Sequence, residues 1–515
     1  MKKHTLLYIC VATVLVTMIP SAAKAQQDDL LSLMREAEKY SVFTRLVEAV
    51  GLESELQQPV NDENYDYLKY GDVSLYMMGN VSYRPMIPRV RPIHTYTIFA
   101  ETDDCYATII GKPAASITAD DVKAWLEANG YYAGQADALR QFVTYHILPV
   151  RLTPNQLVIH NNELGYNYRT GTGPTVFTSE HYETLGTGRR LLQLSEGGGV
   201  EGVYLNRCPV LDNGRKGDYM EHGNPVVKGI MVDESQSIFA LNGCAYSISE
   251  PLVYTDEVRE KVMGGRIRYD IMSLLPELAS YRAPRSSFPE GDGLSLYIPE
   301  GFCDALTLND DGGWYNGRYL LYLSGYARNW WNYQSDELNV ASGYDFTLRL
   351  PPVPTDGEYE LRLAVQGGTS YNAVTLFSIG TDKQSLTPTS LPVDLRLSGA
   401  YWRTTSGNAL SGLGWEADNG DEIHDRFIDL RLYEQGFMKG PQHYSFTPGN
   451  DNNTARSNNS TLRRIIHRGQ FKAGETYYLR VQYTGGNSNG YMYLDYLELC
   501  PKSVYANPDV PEDIW

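Results

Sequence analysis

Between residues 294 and 499 the chain breaks into ten short apolar or alternating runs, at 296–298, 319–323, 344–350, 359–365, 374–379, 393–397, 427–432, 465–471, 476–483 and 491–499. Turn formers separate them, among them Pro351-Pro-Val-Pro354, Asp356-Gly357 and Gly485-Gly486. A short strand cannot enclose a core alone. A long succession of them with turn signals between predicts packed sheets, a β-sandwich or jelly roll, over residues 290–515. The whole chain has 515 residues, 42% of them hydrophobic, which is enough to bury real cores and suits about three domains.

Upstream the signals change. Residues 29–56 read as helical, with Phe43, Leu46, Val47 and Val50 on one face, Ser41 as a cap and Gly51 as the stop. Residues 61–92 are polar and Tyr-rich, carry Pro85, Pro88 and Pro92, and read as a long loop. Residues 95–100 read as a strand, and Thr118-Ala-Asp-Asp121 opens a helix bearing Val122, Trp125 and Leu126. Leu139, Phe142, Val143 and His146 follow at helical spacing, so His146 lies on an apolar face. Pro149 ends that element, and Thr153, Pro154 and Gln156 have the pattern of a capping box for the next. A histidine so placed is expected to be structural, bonded through a ring nitrogen. Residues 163–232 are strand-rich, and Asn242-Gly243 within 238–248 signals a hairpin. Residues 255–282 read as a charged helix with Ile267, Ile271, Leu274, Leu275 and Leu278 on one side, a connector over 256–289.

The first 25 residues read as a Sec signal peptide: Lys2, Lys3 and His4, an apolar run from 6 to 19, then Ala23-Lys24-Ala25. That implies export to the periplasm, the cell surface or the medium. No later run is long and apolar enough to span a membrane. A net charge of −18 argues against nucleic acid and against docking on anionic lipid. Five cysteines remain, Cys105, Cys208, Cys244, Cys303 and Cys500, none in a CxxC pair, so a zinc site is not expected. An oxidising compartment permits disulfides, and Cys208 with Cys244 is one candidate pair.

Thr97-Ile-Phe-Ala100, Tyr145-His146 and Asn242-Gly243 stand in the order found in the fasciclin domain, which residues 26–255 therefore resemble. The resemblance implies an α/β fold of extracellular adhesion proteins. It gives Thr97, Phe99, Tyr145, His146, Asn242 and Gly243 structural or adhesive roles. Glu101 departs from it, standing where that family usually has proline, as does Tyr246, where the family often has histidine. The ending 490–499, with Asp495 inside it, resembles the last strand of galactose-binding-like carbohydrate modules. Together the two parts are similar to secreted or surface proteins of bacterial polysaccharide-utilisation systems. The expected fold class is thus α+β multidomain: an N-terminal fasciclin-like α/β domain, the helical connector, and a C-terminal β-sandwich.

Six of the seven Trp lie in the C-terminal part. Trp330, Trp331 and Tyr333 sit among Asn, Gln and acids, and Trp314 and Trp402 lie in the same C-terminal part. Aromatic faces stack on the C–H faces of sugars while planar polar groups take the hydroxyls, so these five are the expected glycan ligands. The bland alternative is that one Trp of the pair plugs a core, since neighbours on a strand point to opposite faces. The oxygen-rich loops 309–313 and 416–422 could hold structural calcium, with Asp418, Asp421 and Asp495 as candidate ligands; no other cofactor is expected. Acidic turns have the same composition. No G-x-S-x-G or H-E-x-x-H occurs, so no catalytic residue is assigned and the chain reads as a binding protein, not an enzyme. Its expected partner is a glycan or a cell-surface or outer-membrane protein. Adhesion through the first domain is the alternative, and a glycoside-active enzyme the least supported.

Overall fold

The computed structural model describes residues 28–70, 76–78, 81–83, 86–157, 178–196, 202–209, 211–212, 215–216, 226–227, 229–281, 294–309, 320–324, 336–340, 343–366, 373–397, 412–441, 455–459, 461–486 and 492–507. They fall into two compact units, each drawn from several stretches of chain: 1–62, 93–153 and 232–254 in one, and 63–92, 154–231 and 255–515 in the other.

The first unit sets helices α1 (Leu30–Glu36), α2 (Ser41–Ala49), α3 (Asp103–Ile110), α4 (Ala119–Ala128) and α5 (Ala138–Tyr145) around a small sheet. The sheet holds β1 (Tyr96–Glu101), β2 (Ile147–Leu148), β4 (Gly243–Ile248) and the part of β3 (Ile230–Ala240) from Val232 onward. β4 lies parallel to β1, with Gly243 opposite Tyr96 and Ile248 opposite Glu101, while β3 returns antiparallel to β4. The β3–β4 hairpin turns at Leu241-Asn242, where Asn242 fastens three elements. Its side chain accepts from Leu30 N (2.7 Å) and donates to Leu56 O (2.8 Å), and its carbonyl accepts from Tyr96 N (2.8 Å). A Cβ on Gly243 would lie 2.2 Å from Tyr96 O, so only glycine lets β4 approach β1 here. The apolar stripes predicted on α2, α4 and α5 are buried except at Val50 and Trp125, which are half-buried, and Thr118 with Asp121 forms the capping box. Ser41 is not the cap of α2; Asp103 of α3 reaches across instead, accepting from Val42 N (2.8 Å) and Ser41 Oγ (2.5 Å).

The second unit is built mainly of antiparallel strands. One sheet runs β5 (Ile267–Asp270), β9 (Tyr496–Pro501), β6 (Gly357–Gln366), β8 (Thr461–Phe471) and β7 (Phe437–Lys439). A second joins Leu294–Ile298, Leu320–Ser324, Asp336–Val340 and Met492–Leu494. A third carries Leu306–Leu308, Asp345–Arg349, Tyr478–Gly486, Ala373–Gly380 and Thr387–Pro388. Strands Thr178–Glu183, Leu191–Glu196 and Tyr204–Leu205 form an antiparallel meander in the same unit.

The alternation in the β5-to-β7 sheet is unusual. One face is apolar: Ile267, Tyr269, Leu497, Leu499, Leu361 and Leu363. The other sets Arg268 opposite Glu498 and Glu498 opposite Arg362, and all three are buried. Glu498 pairs with Arg268 (2.7 Å), Arg463 (3.2 Å) and Arg362 (3.5 Å), and Arg362 also holds Glu360 (2.5 Å). Burial alone would raise the Glu498 carboxyl, but Arg463, Arg268, Arg266 and Arg362 together hold it well below the usual carboxylate range.

Five expectations are corrected. The α+β class with an N-terminal fasciclin-like α/β domain fails, because the described residues are mostly β-sheet and the helices are short, 13 residues at most. Residues 29–56 hold three brief helices, broken by the turn before Tyr40 and by Gly51 at φ +70°. The strands between 178 and 231 belong to the second unit. The segment read as one helical connector is helical only in short pieces, Val258–Val262, Ile271–Leu274 and Pro276–Ser280, and between them Ile267–Asp270 is an edge strand. Its apolar residues also fit a helical spacing, and the ion pairs that bury Arg268 are invisible in sequence. Residues 427–432 are not a strand but lie within α6 (Glu422–Glu434), capped by Asp421, with Ile428 and Leu432 inward.

Candidate functional site

The first unit carries an open groove of about 510 Å³ lined by Glu38, Lys39, Thr102, Asp103, Asp104, Asp233, Gln236 and Ser247. Its floor forms where β1 runs into α3. Thr102 caps that helix by accepting from Cys105 N (3.3 Å), which leaves Asp103 and Asp104 in the first turn. One wall comes from β3, whose pairing with β4 shifts register between Asp233 and Ile238. Such a bulge takes residues out of the ladder, here Gln236, while Asp233 stays paired opposite Ser247. Lys39 lies across the floor, Nζ donating to Ser247 Oγ (2.9 Å) and Gln236 O (3.1 Å), and 4.7 Å from the Tyr40 ring centroid. Tyr40 Oη and Ser247 Oγ are 2.7 Å apart. Burial lowers the Lys39 ammonium below its ordinary value, opposed by Asp233.

The groove is acidic, with four carboxylates facing one ammonium. Two of them are engaged: Asp103 holds the start of α2, and Asp233 Oδ1 accepts from Ser235 N (3.0 Å) and Ser235 Oγ (2.6 Å). The side chains of Glu38 and Asp104 bond to none of the described residues and are exposed. The site therefore offers free carboxylate acceptors above a hydroxyl-lined floor, which suits a ligand rich in hydroxyl or amine donors.

His146 lies in a different place. Its side chain and that of Glu101 are wholly buried, with His146 Nε2 2.8 Å from Glu101 Oε1. His146 Nδ1 is 2.8 Å from Phe142 O, which can only accept, so Nδ1 carries a proton. Glu101 also accepts from Leu252 N (2.9 Å) and Tyr106 Oη (2.9 Å). One further proton is shared across the His146–Glu101 contact, and every polar atom of the cluster has a partner. Burial and the Glu101 charge push the Tyr106 phenol well above its ordinary value. The departure noted at Glu101 is thus where the buried histidine finds its partner. Thr97 accepts from Leu152 N (2.9 Å) and donates to Val150 O (2.7 Å), Phe99 stacks on Tyr246, and Tyr145 is buried against Tyr254. All six motif residues are buried, and Tyr145 and His146 present no surface.

Trp314, Trp330, Trp331, Tyr333 and Trp402 lie outside the described residues. The calcium candidates are separated in role. Asp418 binds Lys439 Nζ (2.6 Å) and Arg456, two cations that occupy its oxygens. Asp421 caps α6, accepting from Ile423 N (3.0 Å) and His424 N (3.4 Å). Asp495 is buried beside β9, its carbonyl accepting from Ile271 N (3.0 Å). Among the described residues no group of three or more His, Cys, Asp or Glu is placed to hold a metal ion. Cys105, Cys244, Cys303 and Cys500 are buried free thiols, so the Cys208–Cys244 pairing does not form.

The groove residues were not singled out from the sequence. Thr102-Asp103-Asp104 carries a helix-start signature, but only the parallel β1–β4 pairing brings it to Ser247 and Asp233.

No family model matches the chain, and no curated protein does. Solved structures resemble parts of it. A xanthan lyase from Paenibacillus is 13% identical, over 42% of this chain and 14% of the lyase, at a TM-score of 0.21. The K1 cleaved adhesin domain of Lys-gingipain from Porphyromonas gingivalis is 14% identical over 41% of this chain and 99% of that domain, at 0.20. The K2 domain of the same protein is 15% identical over 42% and 94%, also at 0.20. At these TM-scores the likenesses carry no argument about fold or function. Among the described residues no helix is long and apolar enough to cross a membrane.

Proposed function

We propose that this chain is a non-catalytic extracytoplasmic binding protein whose ligand is a glycan, neutral or bearing amino groups, within a bacterial polysaccharide-utilisation system. The groove carries the reading: free acceptors at Glu38 and Asp104, hydroxyls at Thr102 and Ser247, and an amide at Gln236 line one open cleft. Sugar hydroxyls and amines donate to carboxylates, and an anionic ligand would be repelled. The Trp-rich sequence around Trp330 and Trp331 and the carbohydrate-module character of 490–499 support the same class of ligand.

Affinity electrophoresis of the exported chain in a panel of neutral and amino-bearing polysaccharides tests the proposal. Retardation by at least one is expected, weakened about tenfold or more by Asp104→Asn with Asp233→Asn. A parallel Trp330→Ala/Trp331→Ala variant reports on the second region. No retardation by any polysaccharide, or retardation indifferent to both variants, would count decisively against it. Because Lys39 and Ser247 are a pair that other proteins use for nucleophilic catalysis, product release is measured too. Turnover abolished by Ser247→Ala would replace the binding reading with an enzymatic one.

A further inference from the structure

We propose that the outer face of α6 is a two-fold contact between copies of this chain. The helix is apolar on two opposite sides. Ile428 and Leu432 are buried in the second unit. Ile423, Phe427 and Leu430 point the other way and are 83%, 59% and 51% exposed. Their spacing is that of a helical stripe, and three large apolar residues in one exposed row are more than scattered surface chance supplies. The helix is firmly held. Asp421 caps it, Asp425 accepts from Asn419 N (3.0 Å) and Gly420 N (3.2 Å), and Glu416 meets both His424 (3.3 Å) and Arg431 (3.2 Å). The stripe is therefore presented on a rigid element.

The charges beside the stripe select the occupant. Asp425, Asp429 and Arg431 are engaged with the neighbouring loop and with Arg456. Glu422, Arg426 and Glu434 are exposed and bond to none of the described residues, and of these Arg426 and Glu434 flank Leu430. They lie about two helical turns apart with Leu430 midway between them. A two-fold axis through Leu430 sets two such helices antiparallel and brings each Arg426 to the partner copy's Glu434. Opposite charges placed symmetrically about an apolar centre make this part of the surface complementary to itself. A membrane or a partner of single charge would leave one of the two unanswered. One helix of 13 residues buries less than a standard interface, so the dimer is weak, in the micromolar range or above.

Sedimentation equilibrium of the full exported chain, up to roughly millimolar concentration, reads the association directly. A monomer–dimer equilibrium is expected. Phe427→Asp and Leu430→Asp should each weaken it by about tenfold or more, with unchanged circular dichroism. Arg426→Glu should weaken it as well, and Arg426→Glu combined with Glu434→Arg should restore it. A strictly monomeric chain overturns the proposal, as does a dimer indifferent to Arg426→Glu or not rescued by the double reversal. Capture of some other molecule by this face in a chain that stays monomeric overturns it equally.

Discussion

His146 shows how much a single residue can say about its surroundings. Its ring is sealed between Phe142 O and Glu101, and the Glu101 carboxylate is completed by Leu252 N and Tyr106 Oη. Removing one partner leaves a buried charge unanswered, so His146→Phe should cost about 3–5 kcal/mol in chemical denaturation. His146→Phe with Glu101→Leu should cost clearly less than the sum of the two single changes. Strict additivity would show that the pair does not act as a unit. The buried thiols behave alike. Burial pushes Cys105 up to about 12 and Cys303 well above its ordinary value, so native alkylation of both should be negligible at neutral pH and prompt once the chain is unfolded. Labelling of either in the folded protein would contradict their placement. The apolar spacing puts His146 on an inward face, and the ring is buried. Its partner was not legible, because the parallel β1–β4 pairing that closes the cluster over Glu101 is non-local.

Among the elements, the charged face of the β5-to-β7 sheet decides most. Its residues alternate as a strand should, but the polar half is buried, and the usual equation of polar with exposed fails there. Glu498→Gln should destabilise by about 3–5 kcal/mol, since several guanidinium groups lose their common anion. A loss below about 1 kcal/mol, typical of an exposed pair, would mean that water reaches the cluster. His181, in the strand Thr178–Glu183, adds a pH effect. Burial lowers it to about 4, assisted by Arg266 and opposed by its hydrogen bond to Arg268 O (3.3 Å). The folded state therefore prefers the neutral ring. Its contribution is complete above pH of about 6.5 and is lost as pH falls from there towards 4, on the order of 3 kcal/mol in all. Thermal midpoints of the wild type and His181→Gln should converge over that window; parallel curves would contradict the assignment. Ile267–Asp270 and residues 427–432 depart from what their spacing predicts for related reasons. Each has apolar residues on a spacing that fits two periods, and the deciding contacts, Arg268 with Glu498 and the Asp421 cap, come from tertiary structure or from one residue outside the run.

At the scale of the whole molecule, the β-rich character of residues 294–499 was legible because strands and turns are local. The two compact units were not, since each collects stretches far apart in sequence. The groove suffers the same way: it assembles from segments near 38, 102, 233 and 247, whose local signals are those of a helix start and a hairpin and not of a binding site. Glycan recognition by that groove is tested most directly by hydrogen–deuterium exchange of the exported chain, with and without a polysaccharide that retards it. Binding at the groove predicts slowed exchange at residues 38–42, 102–105 and 233–237. Protection confined to other segments, with those three unchanged, would contradict it.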